Sequence, residues 1–355
     1  MAISRRLFLA SPLWLAGCAS VSRAGHQSFI QGTAKDNQGR FFQVAISSNG
    51  ETQFALPLNA RAHGTVIHPN HQTACVVARR PGSFALCYHP ISGQVLGHLT
   101  PKAGQHFMGH ACYDHLNRLW LTGVDSRTSE GYLYGFDQEG ELIAHKALPG
   151  LGPHELLFDG SQQLIIAMGG IHTRQRQKLN LDSMAPSLIA LSLEPNLFLN
   201  PVWQLSLNRK SLSIRHLAIG PQQQVLVACQ DQQKNTNAPL LYHTRGQTLI
   251  AAVAPQWQSF NHYLGSVLAV KDFVLATSPR GHRLGVWQFD SQGQLHPVVQ
   301  HYLPDVCALA HFQGEVYAGS GSGYWYCLPR PNAKPERIAK VKTPWRWDNH
   351  WAVMG

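Results

Sequence analysis

The chain closes on RWDNHWAV, Arg346 to Val353, and the sequence stops two residues later. Terminal residues usually fray and carry little. Two tryptophans set around Asp348, Asn349 and His350 have instead the composition of a packed strand, so the end of the chain is expected to be tied into the fold.

What it is tied to is written in the rest of the sequence. Short runs recur, among them GTVIHP from Gly64, TACVVAR from Thr73, RLWLTGV from Arg118, QLIIAMG from Gln163, QVLVACQ from Gln224 and FVLATSP from Phe273. They are rich in Val, Leu, Ile and aromatics and are bounded by turn signals such as Pro69-Asn70, Asp159-Gly160 and Gly220-Pro221. That pattern reads as an all-β chain.

A longer period organises these strands. A histidine or an acid stands at the start of one strand in each set: His63, His110, His154, His216, His262, Asp305 and His350, spaced by 47, 44, 62, 46, 43 and 45 residues. A period of roughly 40–50 residues holding four strands is the mark of propeller blades. The expected fold is therefore a seven-bladed β-propeller over residues 27–355. The long spacing has a visible cause in the polar insertion from Gly169 to Ser187. Only five residues follow His350, while SFIQGTA, RFFQVAI and TQFALPL precede the first landmark without an inner strand. The last blade is thus expected to take its inner strand from the C-terminus and its other three from the N-terminus, which protects the ring's free edges.

Inner strands face the central channel, so side chains at their entry ends converge on one mouth. Six histidines there, His63, His110, His154, His216, His262 and His350, would form a metal site suited to iron, copper or zinc, or to haem. Histidines between blades also serve as ordinary hydrogen-bonding groups, which is the commoner role. The landmarks do not share one register either, and on a regular strand a one-residue slip reverses the face. Cys112 and Cys307 each follow a landmark by two residues and read as packing cysteines, with a Cu(I) thiol site as the alternative. Arg215, Asn261, Arg280 and Arg346 are the polar residues best placed to clamp an anionic ligand. His26, His89, His98, His145, His243, His282, His296 and His301 are expected at the surface.

Standard catalytic signatures are missing. His154-Glu155 begins like H-E-x-x-H, but Phe158 takes the second histidine position. Glu155 is the one candidate for a catalytic acid or base. There is no C-x-x-C-H haem attachment and no G-x-S-x-G elbow.

The N-terminus reads as an address. Arg5 and Arg6 precede the short apolar run Leu7 to Gly17 in the order of a twin-arginine export signal, and LAGC ends on Cys18 like a lipobox. Residues 1–17 are expected to be removed and residues 18–26 to form a tether lipidated at Cys18. That places the protein in the periplasm on the outer membrane, since Ala19 follows the anchor. The formal charge of +10 is scattered, with no Arg/Lys stripe among aromatics, which argues against a nucleic-acid partner. Cys75 and Cys87 flank Pro81 symmetrically in a hairpin pattern, so they either bridge or simply pack.

HGTVIHP, ARRPGSFAL, GHACYD, GPHELLFDG, KLNLDSMAPSL, LSIRHLAIG, TSPRG and RWDNH, in this order, resemble a bacterial family, domain-of-unknown-function family 1513. The resemblance covers nearly all of the chain after the export signal. It implies an exported propeller of the quinoprotein and YVTN-like group, encoded near imelysin-like and dihaem peroxidase-like proteins in iron-responsive clusters. Those proteins are the partners it implies, and periplasmic iron handling is the role. On the matching blocks it marks His63, His110, His154, Glu155, Lys178, Asn180, Asp182, Arg215, His216, Arg280, Asp348, Asn349 and His350. His262 falls outside those blocks. The leading expectation is a monomeric binding protein for a metal or metal complex, or for a partner in metal uptake. An enzyme with its site at the channel mouth, hydrolase or lactonase-like, and a plain protein-interaction scaffold are the alternatives.

Overall fold

The terminal stretch forms the strand Arg346–Met354 and pairs antiparallel with Phe29–Lys35, with Trp351 opposite Gly32 and Trp347 opposite Ala34. Phe41–Ile46 and Thr52–Leu58 complete that sheet outward. The expected closure is the one observed. Trp347 is buried and meets Trp351 edge-on at 5.1 Å between ring centres. A β-carbon at Gly32, or at Gly319 of the neighbouring sheet, would overlap the Trp351 indole. The absence of side chains at both positions is what lets the last strand wedge between two blades.

The computed structural model describes residues 29–355 apart from 175–176, 195–196, 198, 234–236 and 254–255. The expected export signal, the Cys18 anchor, its tether and His26 lie outside the described residues. Seven four-stranded antiparallel sheets make up the propeller, as the landmark period implied. Their inner strands are Ala62–Ile67 (blade one), Gln105–Tyr113 (two), Pro153–Phe158 (three), Leu212–Ile219 (four), Ser266–Val270 (five), Val306–Phe312 (six) and Arg346–Met354 (seven). Each inner strand neighbours the next around the channel, and the seventh meets the first.

Local chemistry sets the hairpins. Asp36, Asp114, Asp137, Asp159 and Asp290 each end a strand, and each Oδ1 accepts the backbone N–H groups two and four residues on. An aspartate that satisfies its own turn in this way folds the chain back with little outside help. Apolar faces of adjacent sheets then pack together, with Trp120, Tyr134 and Trp287 fully buried.

The insertion lies between Gln163–Met168 and Ser187–Leu193 of blade three. It forms a small hairpin, Thr173–Arg174 with Gln177–Lys178, and a single turn at Leu181–Ser183. His172 Nε2 reaches the Arg127 carbonyl of blade two at 2.8 Å, and Lys178 hydrogen-bonds Gln232 in blade four, just after Val225–Asp231. The insertion thus straps across the channel mouth from blade two to blade four.

Candidate metal centre and mouth cavity

Strand pairing slips at every histidine that enters the channel. The register with the second strand shifts between Ala62 and Thr65, spanning His63, and between Phe107 and Ala111, spanning His110. It shifts again between Pro153 and Leu156, spanning His154 and Glu155, and between Ile214 and His216, leaving Arg215 as the extra residue. In blade seven Asp348, Asn349 and His350 fall between the pairs Gly32–Trp351 and Ala34–Trp347. A bulge re-aims the side chains it carries. Landmarks that disagree in register along the sequence are thereby gathered on one side. Blade six bulges at Cys307, whereas blade five pairs without a slip and sends no histidine inward.

The five rings of His63, His110, His154, His216 and His350 form one cluster. His216 and His350 are centred 4.5 Å apart, His110 and His154 4.6 Å, His63 and His350 4.7 Å, and the widest recorded pair, His63 and His216, 6.3 Å. Potential donor atoms fall within 4.8 Å of one another in three sets: His63, His110 and His350; His110, His154 and His216; Glu155, His216 and His350. Any two sets have one residue in common, His110, His216 or His350, so the three adjoin within one cluster. A metal about 2.1 Å from each nitrogen places opposed donors about 4.2 Å apart, a gap that small ring rotations close. Gly109 makes room for the cluster: at φ +95° it lies where a β-carbon would come within 3.0 Å of the His63 ring.

Carboxylates orient the rings from behind. His63 Nδ1 lies 3.3 Å from Asp348 Oδ1, and His216 Nδ1 lies 3.2 Å from Glu155 Oε2. The other Glu155 oxygen is 3.9 Å from His110 Nδ1. Four buried ring nitrogens of the cluster have no hydrogen-bond partner among the described residues: His110 Nε2, His154 Nδ1, His216 Nε2 and His350 Nε2. Such atoms are costly in a protein interior unless something pairs with them. Burial, followed by the neighbouring imidazoles, holds the pKa values of these four histidines well below the ordinary range. Neutral imidazole is the metal-binding form. Burial works against the Asp348 carboxylate, but His63 and Arg61 bring its pKa below the usual range. Burial raises that of Glu155.

The cluster separates two spaces. A cavity of 480 Å³ opens at the mouth and has His63, His154 and Asp348 on its floor. A smaller one of 160 Å³, lined by His110, Glu155 and His350, lies on the other side.

Of the residues singled out in the sequence, Lys178, Arg215, Arg280, Asp348 and Asn349 line the mouth cavity. His262 does not join the cluster: it sits at φ 61° after the turn Trp257–Phe260, and its carbonyl accepts the Asp231 N–H at 2.9 Å. Asp182 is exposed on the insertion and does not line the cavity. Asn180 instead braces that insertion, accepting from His172 N–H at 2.7 Å and donating to the Gly170 carbonyl at 3.0 Å. Asp305 lines the mouth outside the imidazole cluster. His243 and His301, expected at the surface, are buried in blade packing. Cys75 and Cys87 are directly opposed cross-strand partners and both are free thiols. Burial raises the thiol pKa values of Cys112 and Cys307, and the Cys307 thiol lies 3.4 Å from the carbonyls of Gly319, Trp347 and Asp348, a packing role. Arg61, Gln230 and Tyr263 were not singled out. They lie in different blades or connections, and only the closed ring brings them together. A glycine beside a landmark histidine, as in His63-Gly64 and Gly109-His110, is the one sequence signal of the bulges.

Fold and centre define the class: a seven-bladed propeller with an imidazole-lined channel neck under a basic mouth. The chain belongs to the family described as Protein of unknown function (DUF1513), whose model matches residues 56–354. No curated protein matches the sequence. Among solved structures it is similar to a functionally unknown protein from Desulfotomaculum acetoxidans, at 11% identity and TM-score 0.64, covering 92% of this chain and 98% of that one. It is also similar to the periplasmic gluconolactonase of Pseudomonas aeruginosa, at 13% and 0.61, covering 92% and 99%. A putative 6-phosphogluconolactonase from Bacteroides uniformis is similar at 11% and 0.62, covering 92% and 98%. At such identities the likeness is one of fold.

Proposed function

We propose that this protein is a metal-binding propeller whose channel neck holds one first-row transition-metal ion among His63, His110, His154, His216 and His350. The observation that carries this reading is the packing of five imidazole rings from five blades, four of whose buried ring nitrogens have no hydrogen-bond partner among the described residues. Glu155 and Asp348 supply the outer carboxylates that metal-binding histidines usually have behind them. Nitrogen-rich chemistry of this kind accepts iron, copper and zinc, with copper(II) binding tightest at equal supply. Iron is the ion favoured by the genomic setting that the family resemblance implies. The packed rings suit a bare ion better than haem, because a macrocycle placed between any two would collide with the rest. The N-terminal sequence supports export and anchoring through Cys18 at the periplasmic side of the outer membrane. Imelysin-like or dihaem peroxidase-like proteins are the proposed partners.

Binding is favoured over catalysis by the position of Glu155. Its carboxylate faces the smaller cavity, away from the mouth, and is engaged by His216 and the Leu217 N–H. It orients ligands and is not placed to act on a substrate entering from the mouth. Equilibrium dialysis of metal-depleted protein against Fe(II), Cu(II) and Zn(II), with elemental analysis, tests the reading. One equivalent should bind, and none to a His110→Ala/His154→Ala/His216→Ala variant. No binding tighter than micromolar would leave a protein-interaction scaffold.

A further inference from the structure

The mouth cavity has its own chemistry. Eight cationic side chains line it against two carboxylates, Asp305 and Asp348, and Asp348 is already engaged by Arg61 and His63. Arg215 is only 4% exposed. Gln230 is the neutral acceptor nearby. With its amide turned to suit its neighbours, its oxygen accepts from both terminal nitrogens of Arg280 at 3.0 Å. Arg280 is further seated over the Tyr263 ring, 4.9 Å from its centre. The buried Arg215 guanidinium has only a long contact to the same amide, Nη2 lying 3.5 Å from Gln230, and no ion pair with a carboxylate among the described residues. Burial, followed by repulsion from Arg80 and, more weakly, Arg280, pushes Arg215 down to about 9. Burial and the charges of Arg215 and Arg280 also lower the pKa of Lys178 on the strap. Eight cations set against two carboxylates around one cavity are a charge imbalance that an anion relieves.

We propose that the mouth cavity is a binding site for a small oxyanion carrying two or more negative charges, clamped by Arg215, Arg280 and Lys178. The volume of 480 Å³ is within the range of small-molecule sites. Guanidinium groups match carboxylate and phosphate oxygens in pairs. His63 and His154 line the same space, and Arg215 precedes His216 directly, so a ligand held by the arginines extends to the histidine centre. This part rests on the metal reading: the metal would arrive as an anionic chelate, its acid groups on the arginines and its ion on the imidazoles.

Calorimetric titration of metal-free protein with citrate alone and pyrophosphate alone, in 50 mM and 200 mM salt, tests the anion site. At least one should bind at micromolar strength and weaken with salt. Tighter citrate binding identifies a polycarboxylate site and tighter pyrophosphate binding a phosphate site. Arg215→Gln and Arg280→Gln should each weaken binding tenfold or more. Lys178→Gln, on the exposed strap, should cost about threefold without a risk to folding. Binding of Co(II) alone, followed by its visible absorption, should be unchanged in all three variants. His110→Ala/His216→Ala, at two histidines that do not line the mouth cavity, should lose Co(II) and keep the anion. If wild-type protein binds citrate but no Co(II), the metal reading falls and the anion site stands. Millimolar or weaker binding of both anions, or equal binding by Lys178→Gln and Arg215→Gln proteins as by wild type, overturns the proposal.

Discussion

His216 Nδ1 lies 3.2 Å from Glu155 Oε2, and the same oxygen accepts the Leu217 N–H at 3.0 Å. One carboxylate of blade three therefore sets the ring of blade four, and through its second oxygen approaches His110 of blade two. Replacing an outer-shell partner of this kind typically costs 10–100-fold in metal affinity. Glu155→Gln keeps an acceptor for Leu217, so the metal-free melting temperature should hold while affinity drops about tenfold or more. A competitive titration against a coloured chelator reads this, and an unchanged affinity would make Glu155 a bystander.

Metal should stabilise the folded protein, because the centre draws on five separate blades and does not exist in the unfolded chain. At a hundredfold excess over Kd the gain is about 2.7 kcal/mol. Thermal melts with and without metal should show the rise in wild-type protein. The His110→Ala/His154→Ala/His216→Ala variant should show none.

Gly109 tests whether the bulges matter. Its φ of +95° and the His63 ring 3.0 Å from a would-be β-carbon oppose any side chain. Gly109→Ala should cost about 1–3 kcal/mol and weaken metal binding by displacing His63. Gly97, in the outer strand of blade one with open space around it, is the control. Gly97→Ala should stay within about 0.5 kcal/mol of wild type in chemical denaturation.

Ring closure rests on the last strand. Trp347 is 4% exposed, and truncating such a side chain costs about 3–5 kcal/mol. Trp347→Ala should lower the denaturation midpoint accordingly. Deleting residues 346–355 removes the inner strand of blade seven and exposes Phe29–Lys35, so cooperative unfolding should disappear. A truncated chain that still melts in one sharp transition would refute the closure.

His301 supplies a pH effect away from the channel. It is buried, neither ring nitrogen has a partner, and burial lowers its pKa. The unfolded chain takes up this proton first, so stability falls as pH drops below about 6.5, by up to about 1.4 kcal/mol per unit for one group. His301→Leu should flatten that acid limb in melts between pH 7 and 5, with neutral-pH stability preserved. An identical pH profile would show that His301 does not titrate on unfolding.

The sequence alone determined the seven-bladed count, the position of the insertion and the exchange of strands at closure. These depend on short-range facts, namely alternation, turn residues and a repeat that each blade writes separately. It also marked the five histidines that meet in the channel, His63, His110, His154, His216 and His350, together with His262, which does not join them. Their facing was decided only by the tertiary structure. A bulge is one unpaired residue whose effect depends on the partner strand, so Arg215 and His216 acquire their directions only when Leu212–Ile219 pairs with Val225–Asp231. Closing the ring then determined the rest. It brought Arg61 to Asp348 and Gln230 to Arg280 and left His262 outside the cluster, since proximity across a channel is a property of the circle and not of any one blade.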